Sequence, residues 1–249
     1  MKFTIVTLFP EAFSYLDSSI IKRACEKGKV EIEFVNPRDF TTDKHRQVDD
    51  YPYGGGVGMV IKPEPVYAAV EAAKRNNSLA QVIMTTPRGV TLSQNLIDKL
   101  STEKELIMLC GHYEDFDQRV YALADYQISL GDFVLTGGEL PAMVIIDAIT
   151  RLLPGVIVKT SAACDSFRGN LLDYPHYTRP PVFRGMEVPE VLTSGHHEKI
   201  ERWRRKQSLK NTMLYRPDLL EKAELSSDAL KIVHEIISEE YEPPPEKIS

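Results

Sequence analysis

Three stretches of the sequence place small, backbone-exposing residues directly after apolar runs: "TTPRG" (85–89), "LCGHYEDFD" (109–117) and "SLGDFVLTGGELP" (129–141). Glycine lets a ligand come close to main chain. A wall of N–H and C=O groups with few charged side chains suits a ligand with an adenine-like hydrogen-bonding edge. Each stretch alone is also what an ordinary strand-to-helix turn contains. Three at the C-terminal ends of strands together predict one pocket, because ligands of α/β proteins bind there. A fourth stretch, "DDYPYGGGVGM" (49–59), packs four glycines into five residues and invites a phosphate cradle. It lacks the Gly-Lys-Ser/Thr ending of a Walker A loop, and Met59 stands where G-x-G-x-x-G needs its last glycine. A flexible surface loop is the equally open alternative.

Titratable groups suggest chemistry less directly. Asp165 and Ser166 lie in "SAACDSFRGNLLD", where no periodic pattern accounts for them; capping is the usual use of such a pair. Arg151 falls near the end of an apolar helical run and is equally suited to the negative end of that helix. Cys164 has no His/Asn context and no Pro-Cys setting, so it reads as inert. His112, His176, His196 and His197 lack metal-ligand spacing. From residue 196 to 216 the chain carries seven Lys and Arg (199, 202, 204, 205, 206, 210, 216) against Glu198 and Glu201. Arg202, Lys206 and Lys210 are four apart and form one helical stripe, with Ile200 and Trp203 as candidate anchors. A solvated face is the ordinary reading. Tyr174, Tyr177, Arg179 and Arg184 just upstream favour unstacked bases and phosphates of an RNA loop.

The elements that must position these groups alternate. "FTIVTLF", "VEIEFVN", "AQVIMTT", "ELIMLCG" and "YQISLG" read as strands. Between them "EAFSYLDSSIIKRACEKG", "PEPVYAAVEAAKRNN", "TLSQNLIDKLSTE" and "DFDQRVYALA" read as helices, and "LPAMVIIDAITRLL" follows the last strand. This predicts an α/β domain over 1–158 with a mostly parallel sheet covered on both faces. Residues 159–172 read as an interdomain linker and 173–249 as a small helical domain. Its helices are expected at "HHEKIERWRRKQSLKNTMLY" and at "SSDALKIVHEIISEEY", the second capped by Ser227, before a frayed "EPPPEKIS" tail.

Composition narrows the class. A chain of 249 residues, 43% hydrophobic and 27% charged, has the make-up of a soluble globular protein. No apolar run approaches the roughly 20 residues a membrane helix needs, and "MKFTIVTLFPEAF" has no signal-peptide pattern. Cys25, Cys110 and Cys164 are too few and too scattered for a disulfide framework or zinc site, which fits a reducing cytoplasm. The net charge of −6 hides the basic segment, and local charge is what phosphates feel.

Longer motifs carry more. "TLFPEAF", "NPRDFTTDKHRQVDDYPYGGGVGMVIKPEP", "CGHYEDFDQRV", "ISLGDFVLTGGELPAMVIID", "DSFRGNLLDYPHYTRPPVFRGMEVPEVLTSGHHEKIERWRRKQSL" and "RPDLL" occur in this order. Together they resemble the bacterial tRNA (guanine-N1)-methyltransferases of the SPOUT superfamily, from about Thr7 to Leu220. The resemblance implies a deep C-terminal trefoil knot, a rare exception among folds. It also implies a homodimer with a shared active site, and methylation of N1 of guanine 37 in tRNA, beside the anticodon. S-adenosylmethionine (SAM) would be the methyl donor, with magnesium as a further cofactor. By the same resemblance SAM is held by Thr85, Thr86, Pro87, Gly89, Gly111, Tyr113, Leu130, Gly131, Asp132, Phe133, Val134, Leu135, Gly137, Gly138 and Pro141. Asp165 matches the general base, Arg151 the group holding charge near O6, and Glu114 is a carboxylate neighbour able to raise the base's pKa. Asp50, Tyr53, Ser166, His176, Arg179, Arg202, Lys206 and Lys210 are the expected tRNA contacts. Two positions depart from the family's pattern: Asp115, where many relatives have glycine, and Cys164, where an acid is common. Against this stand a phosphate-binding α/β protein built on "GGGVG" and a non-catalytic RNA-binding factor built on the basic helix.

Overall fold

The computed structural model describes residues 1–157 and 165–240. Cys164, residues 159–164 of the expected linker and the tail from 242 onward lie outside them. The described residues divide into two compact units, 1–157 and 165–240. Residues 165–172 therefore group with the second unit.

The first unit opens with β1 (Lys2–Val6), α1 (Ser19–Glu26), β2 (Glu31–Val35), β3 (Asp49–Asp50), β4 (Val60–Ile61) and α2 (Pro63–Ala73). It continues with β5 (Gln81–Thr91), α3 (Gln94–Leu100), β6 (Glu105–Leu109), β7 (Asp115–Phe116), β8 (Tyr126–Ser129) and α4 (Glu139–Thr150). Five strands form one parallel sheet in the order β2-β1-β6-β5-β8. Side chains alternate across it. Leu106 and Met108 of β6 join a core with Phe3, Ile5, Ile21, Ile97 and Ile145. Ile107 and Leu109 join another with Val66, Val70, Val82 and Val120. Every residue of β6 is buried; after Glu105, which accepts from Thr4 and pairs with Lys2, the strand reads as an unbroken apolar run.

Three sequence expectations change here, the first being the helix expected over 115–124, which is β7 followed by a 3-10 turn (Gln118–Leu123). The long helix expected over 11–28 is broken into a 3-10 turn (Pro10–Asp17) and α1. Ser18 is extended, its hydroxyl donates to the Tyr15 carbonyl at 2.6 Å, and Ser19 takes φ +49°. Nor does β5 stop at Thr86. Thr85 pairs with Ile128 of β8, and so does Val90, with Thr91 against Ser129. A strand position has one partner on each edge, so 81–85 and 90–91 flank β8 on opposite edges and residues 86–89 cross it. Gly89 makes the crossing: a Cβ there would lie 2.4 Å from the Ile128 nitrogen.

A small sheet, β3-β4-β7, escaped sequence reading because its strands are two residues long and show no periodicity. β4 pairs parallel with β7, so the glycine-rich loop between β3 and β4 is fastened beside the loop after β6.

The second unit holds a hairpin, β9 (Val182–Phe183) and β10 (Met186–Glu187), then α5 (Glu190–Thr193), α6 (His197–Tyr215), α7 (Pro217–Leu220) and α8 (Ser227–Glu240). The hairpin turns on Arg184 and Gly185, both at positive φ (51° and 78°), as a tight primed turn requires. The cap of α8 is Ser226, not Ser227: the Ser226 hydroxyl accepts from the Ala229 amide at 3.3 Å, three residues on. The core forms around Leu209, Ala229, Ile232 and Ile236, so Leu209, rather than Ile200 or Trp203, is the buried anchor of α6.

Candidate functional site

The C-terminal ends of β5, β6 and β8 meet at one cleft of about 380 Å³ in the first unit. Gly138 ties the loops together. Its amide donates to the Gly111 carbonyl at 2.8 Å, its carbonyl accepts from Thr85 Oγ1 at 3.4 Å, and Gly137 bridges His112 in antiparallel fashion. A Cβ on Gly138 would lie 2.5 Å from Thr85 Oγ1 and 2.8 Å from the Gly111 nitrogen. No side chain fits there, and that is the physical reason for the Gly-Gly pair. On the outer turn, Ser129 Oγ accepts from the Gly131 amide at 3.2 Å, with Gly131 at φ +149°.

Of the residues expected to hold SAM, Thr85, Thr86, Pro87, Gly111, Tyr113, Leu130, Gly131, Phe133, Val134, Leu135, Gly137, Gly138 and Pro141 line this cleft. Gly89 and Asp132 do not: Gly89 lies against the β8 backbone and Asp132 is exposed outside the lining. His112, Glu114, Asp115, Phe116, Ile128, Ser129 and Thr136 also line it. Their signal was present in the same loops, but side chains other than glycine carry no mark of facing a pocket.

The acids of this region have distinct uses. Glu139 opens α4, where the helix dipole favours a negative charge. It is buried, accepts from Thr7 Oγ1 at 2.9 Å, and its other oxygen lies 3.8 Å from His112 Nδ1. Asp117, just past the cleft, is held down to about 2 by the Arg119 side chain, which reaches it through Nε and a terminal nitrogen at 2.8 Å each. Burial, and next the Glu139 carboxylate, push the Cys110 thiol well up, so it is no nucleophile. Glu114 stands in the cleft wall, its amide donating to the Met59 carbonyl at 3.1 Å. Gly58 backs it, since a Cβ there would lie 2.3 Å from Glu114 Oε1. The glycine-rich loop, with Gly54, Gly55, Gly56 and Gly58 at positive φ, runs from β3 into β4 and not into a helix N-terminus. That removes the helix N-terminus on which one form of phosphate cradle relies. Asp50 and Tyr53 are exposed on the same segment.

Arg151 follows the last turn of α4 in the first unit, whereas Asp165 and Ser166 belong to the second. Ser166 Oγ accepts from the Asp173 amide at 3.0 Å. The following residues dock on α6: Thr212 Oγ1 accepts from the Leu172 amide at 2.9 Å, Ser208 Oγ donates to the Leu172 carbonyl, and Asn211 Nδ2 donates to the Asp173 carbonyl at 2.9 Å. His176 pairs with Asp173 at 3.0 Å and packs on Tyr174, and Arg179 is exposed. The basic stripe is occupied from within. Arg202 bonds Glu235 at 2.5 Å, and Lys206 bonds Glu235 at 2.8 Å and Glu239 at 2.6 Å. Sequence spacing shows the stripe but not these partners, which lie about thirty residues on. Among the described residues no group of three or more His, Cys, Asp and Glu side chains is placed to hold a metal ion.

The family model described as tRNA (Guanine-1)-methyltransferase TrmD matches residues 1–222. The chain belongs to this family. Proteins named tRNA (guanine-N(1)-)-methyltransferase resemble it over nearly their full lengths. That of Desulfitobacterium hafniense is 52% identical over 243 residues, 97% of this chain and 93% of the relative. That of Dehalococcoides mccartyi is 54% identical over 244 residues (96% and 98%), and that of Moorella thermoacetica 52% over 250 residues (98% and 100%). In this methyltransferase family a methyl donor is implied.

Proposed function

We propose that this chain methylates N1 of guanine 37 in tRNA, with SAM held in the cleft at the ends of β5, β6 and β8. The observation that carries the reading is the cleft itself, in a chain of this family: three sequence-distant loops close around Gly138 and line one cavity. Bound SAM supplies a methyl group on an electrophilic sulfonium, and the chain does the rest. Guanine N1 carries a proton that must leave as the methyl arrives, and Asp165 is the base that takes it. Negative charge grows toward O6, where the Arg151 guanidinium holds it. Transfer in line onto N1 needs no cysteine, consistent with the raised Cys110 thiol. Magnesium has no group of three or more His, Cys, Asp and Glu side chains to hold it among the described residues.

The reading includes a trefoil knot and a homodimer that shares its active site. Support for the knot is the crossing of β8 by residues 86–89. Support for the dimer is an apolar surface on α4 and the turn before it, where Val134, Leu140 and Val144 are exposed. The described residues contain no helix long and apolar enough to cross a membrane, and the unpaired Cys25 and Cys110 suit a cytoplasmic setting. The RNA face is assigned to Asp50, Tyr53, Ser166, His176, Arg179 and the α6 cations. The Asp165→Ala variant tests the chemistry: turnover should fall at least a hundredfold while SAM affinity stays within a few-fold. Equal collapse of SAM binding would show Asp165 to be structural.

A further inference from the structure

Asp115, Tyr121 and Thr86 form a hydrogen-bonded chain that ends in the cleft. The Tyr121 hydroxyl lies 2.8 Å from both Asp115 carboxylate oxygens and 3.3 Å from Thr86 Oγ1. The Phe116 amide fixes Asp115 from the other side, donating to Oδ1 at 2.7 Å. Tyr121 is buried, with the Arg88 guanidinium 3.3 Å over its ring, and Arg88 is tied to Gln118 at 3.2 Å. The ring is clamped from its face and its hydroxyl has one place to be.

Counting protons gives the chain a direction. An ionised carboxylate only accepts, and a tyrosine hydroxyl has one hydrogen. That hydrogen goes to Asp115. Burial pushes the Tyr121 hydroxyl up, and the neighbouring carboxylate adds to this, so it stays protonated. The Tyr121 oxygen is left to accept, and Thr86 must be the donor in the pair they form. The single hydrogen of Thr86 is thereby spent inside the wall. Thr86 is 8% exposed and lines the cleft, so any hydrogen bond its hydroxyl makes to a ligand there is one it accepts.

We propose that Asp115 and Tyr121 are positioning residues that make Thr86 an acceptor-only contact for a hydrogen-bond donor of the methyl donor. This rests on the SAM reading of the cleft and adds a selectivity to it. SAM offers three classes of donor: the exocyclic amine of adenine, the ribose hydroxyls and the α-ammonium. An analogue lacking the one that meets Thr86 loses the bond, and a hydroxyl already donating to Tyr121 cannot turn to donate instead.

The test is calorimetric binding to the full-length protein, its Tyr121→Phe variant and its Thr86→Val variant. The ligands are SAM and three analogues: hypoxanthine in place of adenine, 2′-deoxyribose, and a deaminated aminoacyl end. Wild type should bind one of the analogues about fivefold or more weakly than SAM, the size of one hydrogen bond. That penalty should shrink to within about twofold in Thr86→Val, which has no acceptor, and in part in Tyr121→Phe, whose freed Thr86 hydroxyl can still accept, while the penalties of the other two analogues stay as in wild type. Thr86→Val keeps shape, so loss of fold does not confound it. If wild type binds SAM but every analogue ratio is the same in all three proteins, the relay is overturned and the cofactor reading stands. If wild type binds no SAM, the cofactor reading falls, and the relay with it.

Discussion

At the scale of single residues, function rests on what glycine leaves out. Gly138 has no room for a side chain between Thr85 and Gly111. Gly138→Ala should cost about 1–3 kcal/mol of stability from overpacking and weaken SAM binding at least tenfold. Thermal melting and calorimetry check the two; unchanged SAM affinity would mean the loops close without this contact. Glu139 works oppositely, as a buried charge kept by its partners. Glu139→Ala strips the Thr7 hydroxyl of its acceptor and the helix terminus of its charge, at a cost of about 2–3 kcal/mol, and Glu139→Gln should recover part of it. Denaturant unfolding of the two variants measures the difference. The three glycine-bearing loops were legible as one pocket from their place after strands. The Asp115–Tyr121–Thr86 chain was not, because hydrogen bonds between residues up to thirty-five apart leave no local pattern.

At the scale of elements, most of the strand and helix order could be read because β1, β5 and β6 carry apolar runs with helical patterns between strands, whereas β2 alternates Glu31 and Glu33 with apolar residues. The crossing of β8 by β5 escaped, since pairing partners about forty residues away set it. The basic stripe of α6 shows the same limit. Its charges are plain in the sequence, but Arg202 and Lys206 hold α8 through Glu235 and Glu239. Lys206 keeps the Glu235 carboxyl below the usual carboxylate range. A carboxylate depressed in the folded state contributes stability above its unfolded value and loses it as pH falls through the folded one. Acid titration from neutrality through the carboxylate range should therefore loosen α8, and Glu235→Gln should flatten that dependence in helix content followed by circular dichroism. Removing Arg202, Lys206 and Lys210 together should weaken tRNA binding and lower its salt slope. An unchanged slope would leave these cations with α8 alone.

At the scale of the whole molecule, two units divide the assigned chemistry: the cleft and Arg151 in one, Asp165 and the basic helix in the other. The proposed homodimer with a shared site would account for that division. Val144→Asp, on the exposed apolar face of α4, should shift the protein toward monomer in sedimentation and depress turnover together. The central claim is that the chain moves a methyl group from SAM to guanine 37. The most direct measurement is incorporation of labelled methyl from SAM into a tRNA carrying G at position 37, beside the same tRNA carrying A. Label that enters the first and not the second, and resides on N1, is the predicted result. Equal label in both, or none in the G-bearing tRNA, would contradict it.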